Sequence, residues 1–371
     1  MNQQERVPMI DALRGLSCLG ILLYHVRVDL WVGWRQIKSQ PEEYSSFAKA
    51  MAWLSIPTPF FGYAILLFFL ISGFCIHYPN TLESRKPKWG QYFMRRFWRI
   101  YPPYLAALAL TAGISYLCHV FWNDSTWDPD RILRTATLSQ NYPPGNGQFL
   151  SNPSLWTIPL EVEFYILYPL AFCLFSRLRS SLLALFAIGL FALTVFLGKQ
   201  EILWPSFTAL FFWPTWLLGA WVAQLHRENR LASISPLLTI TIGSLFFVLA
   251  LASHKDMQDW DIWLQYLLWT GFYLSLLMLT ISKQNLIKSL PLRGMLPFLS
   301  WLGEISFSLY LVHFPLFKLL GYLHIAQFGE KPVNFLVALG YLLLVCLFGW
   351  VFYHWIERPI HLWSKNRLQK S

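Results

Sequence analysis

The stretch IDALRGLSCLGILLYH, Ile10 to His25, decides how the chain is read. Residues 9–26 form an apolar run long enough to cross a bilayer as a helix, yet Asp11, Arg14 and His25 lie inside it. Those charges interrupt the core that a cleaved signal peptide needs, and no small-x-small site follows, so the run is expected to stay as a first span. Ionisable groups within a span are expensive and mark functional candidates. Arg14 and His25 are eleven residues apart, and three helical turns are about 10.8 residues, so both face the same way about 16 Å apart along the axis. Direct contact is forbidden; the pair reads as two stations on one path. The alternative is that Arg14 snorkels or pairs with Asp11 three residues before it, while His25 sits at the interface.

The rest of the chain repeats this character. Of 371 residues, 56% are hydrophobic and only 13% charged, about half the charged share of a soluble domain. Apolar runs at 9–26, 60–78, 101–121, 155–176, 181–198, 204–224, 236–253, 262–282, 299–317 and 334–356 predict an all-α integral membrane protein of about ten transmembrane helices, with 1–371 as one domain. The net charge of +10 comes without a dense basic run in polar surroundings, which argues against nucleic acid as a partner. Basic cytoplasmic loops explain it better: with the N-terminus inside, Arg85, Lys86, Lys88, Arg95, Arg96 and Arg99 fall together on the inner side. Asp124, Asp128, Asp130, Asp256, Asp259 and Asp261 then fall outside, and both termini are expected in the cytoplasm. Five cysteines in apolar runs leave no disulfide framework or CxxC unit, and no metal is expected.

Four further ionisable groups fall within spans: Glu161 and Glu163 in the fourth, Glu304 and His313 in the ninth. Together with the first span they imply a polar interior, which a transporter, a channel or an intramembrane enzyme could each supply. Glu161 and Glu163 begin their span at about the depth of His25. A carboxylate there could orient an imidazole and raise its basicity, or it could cap a helix start, a role that suits Glu163 more readily. In FMRRFWRIYPPY, Arg95, Arg96 and Arg99 cluster where the third span leaves the cytoplasm. Three guanidinium groups at a helix N-terminus make a phosphate receptor; plain positive-inside anchoring is the other reading. His77, His119, His226, His254, His324, His354 and His361 read as interfacial or solvated, and no HExxH, GxSxG, Walker A or GxGxxG unit sits in a suitable context.

These segments resemble the acyltransferase 3 family of multispanning membrane O-acyltransferases, the bacterial O-antigen and exopolysaccharide O-acetylase type. The opening run resembles that family's Arg/Lys, ten residues, His signature, falling on Arg14 and His25. FFLISGF (Phe68 to Phe74), MRRFWRIYP (Met94 to Pro102), SLWTIPLEVEFYILYP (Ser154 to Pro169), LGEISFSLYLVH (Leu302 to His313) and WIERP (Trp355 to Pro359) resemble further segments in the same order. Glu161 holds the family's Trp-Ser/Thr-x-x-x-Glu position, with Pro159 and Leu160 where small or β-branched residues are usual and Glu163 where Gln is common. Some members carry a C-terminal esterase-like domain, and none is expected here.

The resemblance implies transfer of an acyl group, most often acetyl, from cytoplasmic acyl-CoA to a carbohydrate hydroxyl at the outer face of a bacterial inner membrane. Acetyl-CoA or another acyl-CoA would be the donor substrate, with no bound cofactor, and a glycan or glycolipid the acceptor. Arg95, Arg96 and Arg99 would hold the phosphates of coenzyme A, and the pantetheine arm would pass Arg14. His25 would deprotonate the acceptor or carry the acyl group, Glu161 would orient and charge-balance that imidazole, and His313 or Ser72 would polarise the thioester carbonyl. The rival reading is a proton-coupled or polysaccharide transporter using the same groups as a relay, for which the inverted repeats expected of such proteins are not visible.

Overall fold

A computed structural model describes residues 8–81, 87–143, 148–177, 180–254, 259–284 and 294–369. Arg85, Lys86 and Asp256, which the topology reading uses, lie outside them. Among the described residues all regular structure is helical. The principal helices are α1 (Pro8–Asp29), α2 (Ile65–His77), α3 (Trp89–Trp122), α4 (Thr157–Arg177), α5 (Ser180–Lys199) and α6 (Ala209–Arg227). They continue with α7 (Pro236–Ala252), α8 (Asp259–Ser282), α9 (Leu296–Glu304), α10 (Ser306–Phe328), α11 (Phe335–Phe352) and α12 (Arg358–Gln369). Seven stretches among the described residues are long and apolar enough to cross a membrane: Met9–Ser39, Ser46–Asn80, Trp89–Trp122, Pro153–Ser176, Ile262–Ser282, Ser306–Phe328 and Phe335–Arg367. Leu185–Lys199 and Pro236–Ala252 are shorter apolar helices.

Two boundaries differ from the sequence expectation. Helix α3 begins at Trp89, so Pro102 and Pro103 sit inside it rather than at its start. Arg95, Arg96 and Arg99 therefore lie beyond the first turn, where the helix dipole no longer acts, and that part of the phosphate-receptor reading is corrected. The ninth run is also divided. It breaks at Ile305 (φ −92°, ψ 2°), which leaves Glu304 at the end of α9, while α10 continues past Lys318 to Phe328 and takes His324 with it. A cation closes a hydropathy window at 317, but a paired cation can be buried in a helix.

Contacts group the chain into two compact units: residues 1–17, 63–93 and 157–304, and residues 18–62, 94–156 and 305–371. In the first unit α2 and α6 cross without room for a side chain. A Cβ on Gly73 would stand 2.0 Å from the Trp216 carbonyl oxygen, and one on Gly219 would stand 1.9 Å from that of Leu70. Small residues at a crossing let backbones approach this closely in lipid. Around the crossing Phe69 meets Phe164 and Phe212, and Phe164 stacks on Trp216. Pro169 inside α4 deprives the Tyr165 carbonyl of its helical donor, and the Tyr92 hydroxyl donates to that oxygen at 3.3 Å.

The second unit is built on α10, whose Leu309, Leu311, Val312, His313 and Phe317 are fully buried. Helix α11 packs on it where a Cβ at Gly349 would lie 2.7 Å from Leu309 Cδ1. The described parts of the long segment between α3 and α4, residues 123–143 and 148–156, pack within this unit rather than merely spanning solvent. Asp128 caps a short helix, Pro129–Ala136, and the Tyr104 hydroxyl donates to the Thr135 carbonyl at 2.6 Å.

Lys318 is buried beside Asp124, with Nζ 2.5 Å from Oδ2 and side-chain exposures of 9% and 6%; it also donates to the Thr126 hydroxyl. Burial works to raise the Asp124 pKa, but hydrogen bonds from Lys318 and Thr126 and the lysine charge outweigh it and hold the carboxyl below its ordinary range. The stabilisation is thus complete above the unfolded value of about 3.9 and disappears as pH falls through the lower folded value. Asp124→Asn, which strands the lysine charge, is expected to destabilise the protein by about 3 kcal/mol at neutral pH. Melting in detergent checks this, and the gap between variant and parent should close on strong acidification. Equal melting at neutral pH would show the pair to be inconsequential.

Candidate active site

His25, near the end of α1, and His313, on α10, meet within the second unit. His25 Nδ1 lies 2.8 Å from His313 Nε2, with the rings nearly parallel at 17° and centroids 5.0 Å apart. His313 Nδ1 faces the carbonyl oxygens of Tyr310 at 2.7 Å and Leu309 at 3.2 Å. Carbonyls only accept, so His313 Nδ1 must carry hydrogen. In the neutral ring Nε2 is then the acceptor, and His25 must donate to it from Nδ1. The remaining His25 nitrogen, Nε2, consequently presents a lone pair, the form a general base or nucleophile requires. It accepts no hydrogen bond from the described residues. His313 is fully buried, while His25 is partly exposed, with Phe314 edge-on at 5.2 Å.

This geometry gives His313 a different part from the one expected of it. Both its nitrogens are engaged, so the neutral ring has no N–H left for a thioester carbonyl. It holds the tautomer of His25 instead. The sequence contained both histidines, but the pairing joins residues 288 positions apart, and no local spacing could signal it.

The other candidates lie as follows. In the first unit Arg14 donates from Nη1 to Asp11 Oδ1 at 3.0 Å and from Nη2 to the Cys75 sulfur at 3.6 Å, so the Asp11 pairing weighed in the sequence is formed. The crossing that carries Asp11 and Arg14 is tight, because a Cβ on Gly303 would lie 1.9 Å from the Asp11 carbonyl oxygen. Glu161 accepts from the Tyr165 hydroxyl one turn along α4. Glu163 accepts from the Ala209 backbone N–H at 2.6 Å, capping α6. Ser72 accepts from the Trp216 indole at 3.3 Å, which leaves its own hydrogen to donate. His77, read as interfacial, is buried against the Tyr168 hydroxyl and Gln224.

In the second unit Arg95 and Arg96 are adjacent on one turn of α3 and Arg99 follows on the next. Trp98 meets Trp363 of α12 edge-on at 4.7 Å, and Arg96, Arg99 and Lys365 place their charges around His361. The cationic cluster thus draws on two helices. Among the described residues no group of three or more His, Cys, Asp or Glu could hold a metal ion.

The chain is 24% identical over 397 residues to the O-acetyltransferase OatA of Staphylococcus aureus, covering 97% of this chain and 58% of that protein. It is 24% identical over 327 residues to a putative acetyltransferase, ORF330, of Acidianus two-tailed virus, covering 86% of each. The chain therefore spans little more than half the length of OatA. No solved structure matches it. The acyltransferase 3 family model, an acyltransferase domain, matches residues 7–354, and the chain belongs to that family.

Proposed function

We propose that the chain is a membrane O-acyltransferase that moves an acyl group, acetyl in the first instance, from cytoplasmic acyl-CoA to a carbohydrate hydroxyl at the outer face of a bacterial inner membrane. The observation that carries the reading is the His25–His313 pair, which leaves His25 Nε2 unprotonated and partly exposed. In the reaction Nε2 takes the acceptor hydroxyl proton, the oxygen attacks the thioester carbonyl carbon, and the carbon–sulfur bond breaks. The proton on Nε2 then passes to the departing thiolate. His313 Nε2 accepts from Nδ1–H throughout and stabilises the imidazolium that forms.

Ten spans with both termini in the cytoplasm would put the arginine cluster on the donor side and His25 towards the acceptor. The family resemblance supports Arg14 as a residue that the pantetheine arm of the donor passes. The resemblance to a protein named as an O-acetyltransferase supports acetyl as the group transferred. Inside-out vesicles supplied with labelled acetyl-CoA test the reading. Label should appear on glycan, and vesicles that move the glycan without labelling it would establish the transporter instead.

The arginine cluster has its own test. Replacing Arg95, Arg96 and Arg99 together with Lys keeps the positive charge but loses the forked donors. Affinity for acyl-CoA is expected to fall about tenfold or more, at roughly one charge-assisted hydrogen bond lost, with topology unchanged. Equal affinity in a binding assay would reduce the cluster to an anchor.

A further inference from the structure

Pro315 follows His313 by two residues inside α10. Having no N–H, it leaves the carbonyl four residues earlier, that of Leu311, without a helical donor. An unsatisfied carbonyl in a buried membrane helix costs several kcal/mol, so another group must supply the hydrogen. Asn152, buried to 1% exposure, does so: its Nδ2 donates to the Leu311 carbonyl oxygen at 2.9 Å. The amide is itself held in place. Ser154 Oγ donates to Asn152 Oδ1 at 2.5 Å, and the Tyr310 hydroxyl donates to the Ser154 carbonyl at 2.7 Å. The segment is therefore tied to α10 at Tyr310 and Leu311, and Tyr310 also supplies the carbonyl that fixes His313 Nδ1.

We propose that Asn152 is a positioning residue for acyl transfer: its amide stands in for the N–H that Pro315 lacks, holding the turn that fixes His313 and, through it, the base tautomer of His25. The inference rests on the reading of His25 as the base. A proline at 315 frees the helix to bend beside His313, and Asn152 removes that freedom. The break and the clamp form one device, placed within two residues of His313 along α10.

The test is a double-mutant cycle in the full-length protein, with amounts of folded protein measured by size-exclusion chromatography in detergent. Asn152→Leu, similar in size and unable to donate, should lower kcat about tenfold to a hundredfold, the range typical of groups that orient a functional histidine, with KM for acetyl-CoA unchanged. Pro315→Ala restores an N–H opposite Leu311, so Asn152→Leu should cost little when made in that background. A purely structural plug would instead reduce the amount of folded protein and leave its kcat intact. Unchanged kcat in folded Asn152→Leu, or an equal loss with and without Pro315, would overturn the proposal. If Asn152→Leu accumulates poorly, the smaller Asn152→Ala, which also lacks the donor, takes its place in the same cycle with the same criteria. His25→Ala run alongside separates the two failures, because an active His25→Ala removes the base reading whatever Asn152 does.

Discussion

His25→Ala is expected to insert normally and to lose acyl transfer by about 10²–10⁴-fold, the usual contribution of a general base, or entirely if the imidazole carries the acyl group. Replacing one imidazole by a methyl makes α1 more apolar, so insertion should not suffer. The structure adds a sharper form of the experiment. In the proposed mechanism His313 acts only through His25 Nδ1, 2.8 Å from its Nε2, so His313→Ala should be severe by itself, yet the double variant should be no worse than His25→Ala. Residues that act as a unit show this non-additivity. Labelled acetyl transfer into glycan, normalised to protein in the membrane, reads all three. Independent, multiplying losses would mean that His313 touches the reaction by another route, and a normally active His25→Ala would end the mechanism.

The helices were largely legible because hydropathy is a local property. What α1 holds, from Asp11 to His25, followed from one run of residues and the helical repeat, and all the apolar runs of the sequence fall on helices. The errors arise where a local signal is answered from a distance. Lys318 looks like the end of a span until Asp124, from the segment after α3, neutralises it. Pro102 and Pro103 look like a helix start, although α3 absorbs them thirteen residues after its first residue, Trp89. The tautomer of His25 was beyond sequence reading altogether. It depends on which nitrogen of a residue in α10 faces it, and on two backbone carbonyls that settle the proton there. Pro169 and Pro315 share this logic: each frees a carbonyl, and each carbonyl is taken by a side chain from another segment of its own unit, Tyr92 in the first and Asn152 in the second.

Glu161→Gln is expected to preserve the fold and lose most of the transfer rate, whereas Glu163→Gln should be mild. The two carboxylates differ by about 200° around α4, and their partners differ accordingly. Glu161 takes the Tyr165 hydroxyl within its own helix, while Glu163 takes the Ala209 N–H at the start of α6. A glutamine oxygen can accept either hydrogen bond, so each substitution removes charge while leaving the local contact intact. At Glu163 that means weakening one favourable interaction with a helix N-terminus, worth about 0.3–1 kcal/mol. At Glu161 it removes the negative charge proposed to balance an imidazolium during transfer, and electrostatic terms of that kind are worth about 10²–10³ in rate. Thermal melting in detergent beside the acetyl-transfer assay separates stability from catalysis. A severe Glu163→Gln with a mild Glu161→Gln would exchange the two roles, and two mild variants would take both carboxylates out of the chemistry, leaving the neutral His25–His313 pair to manage the proton alone.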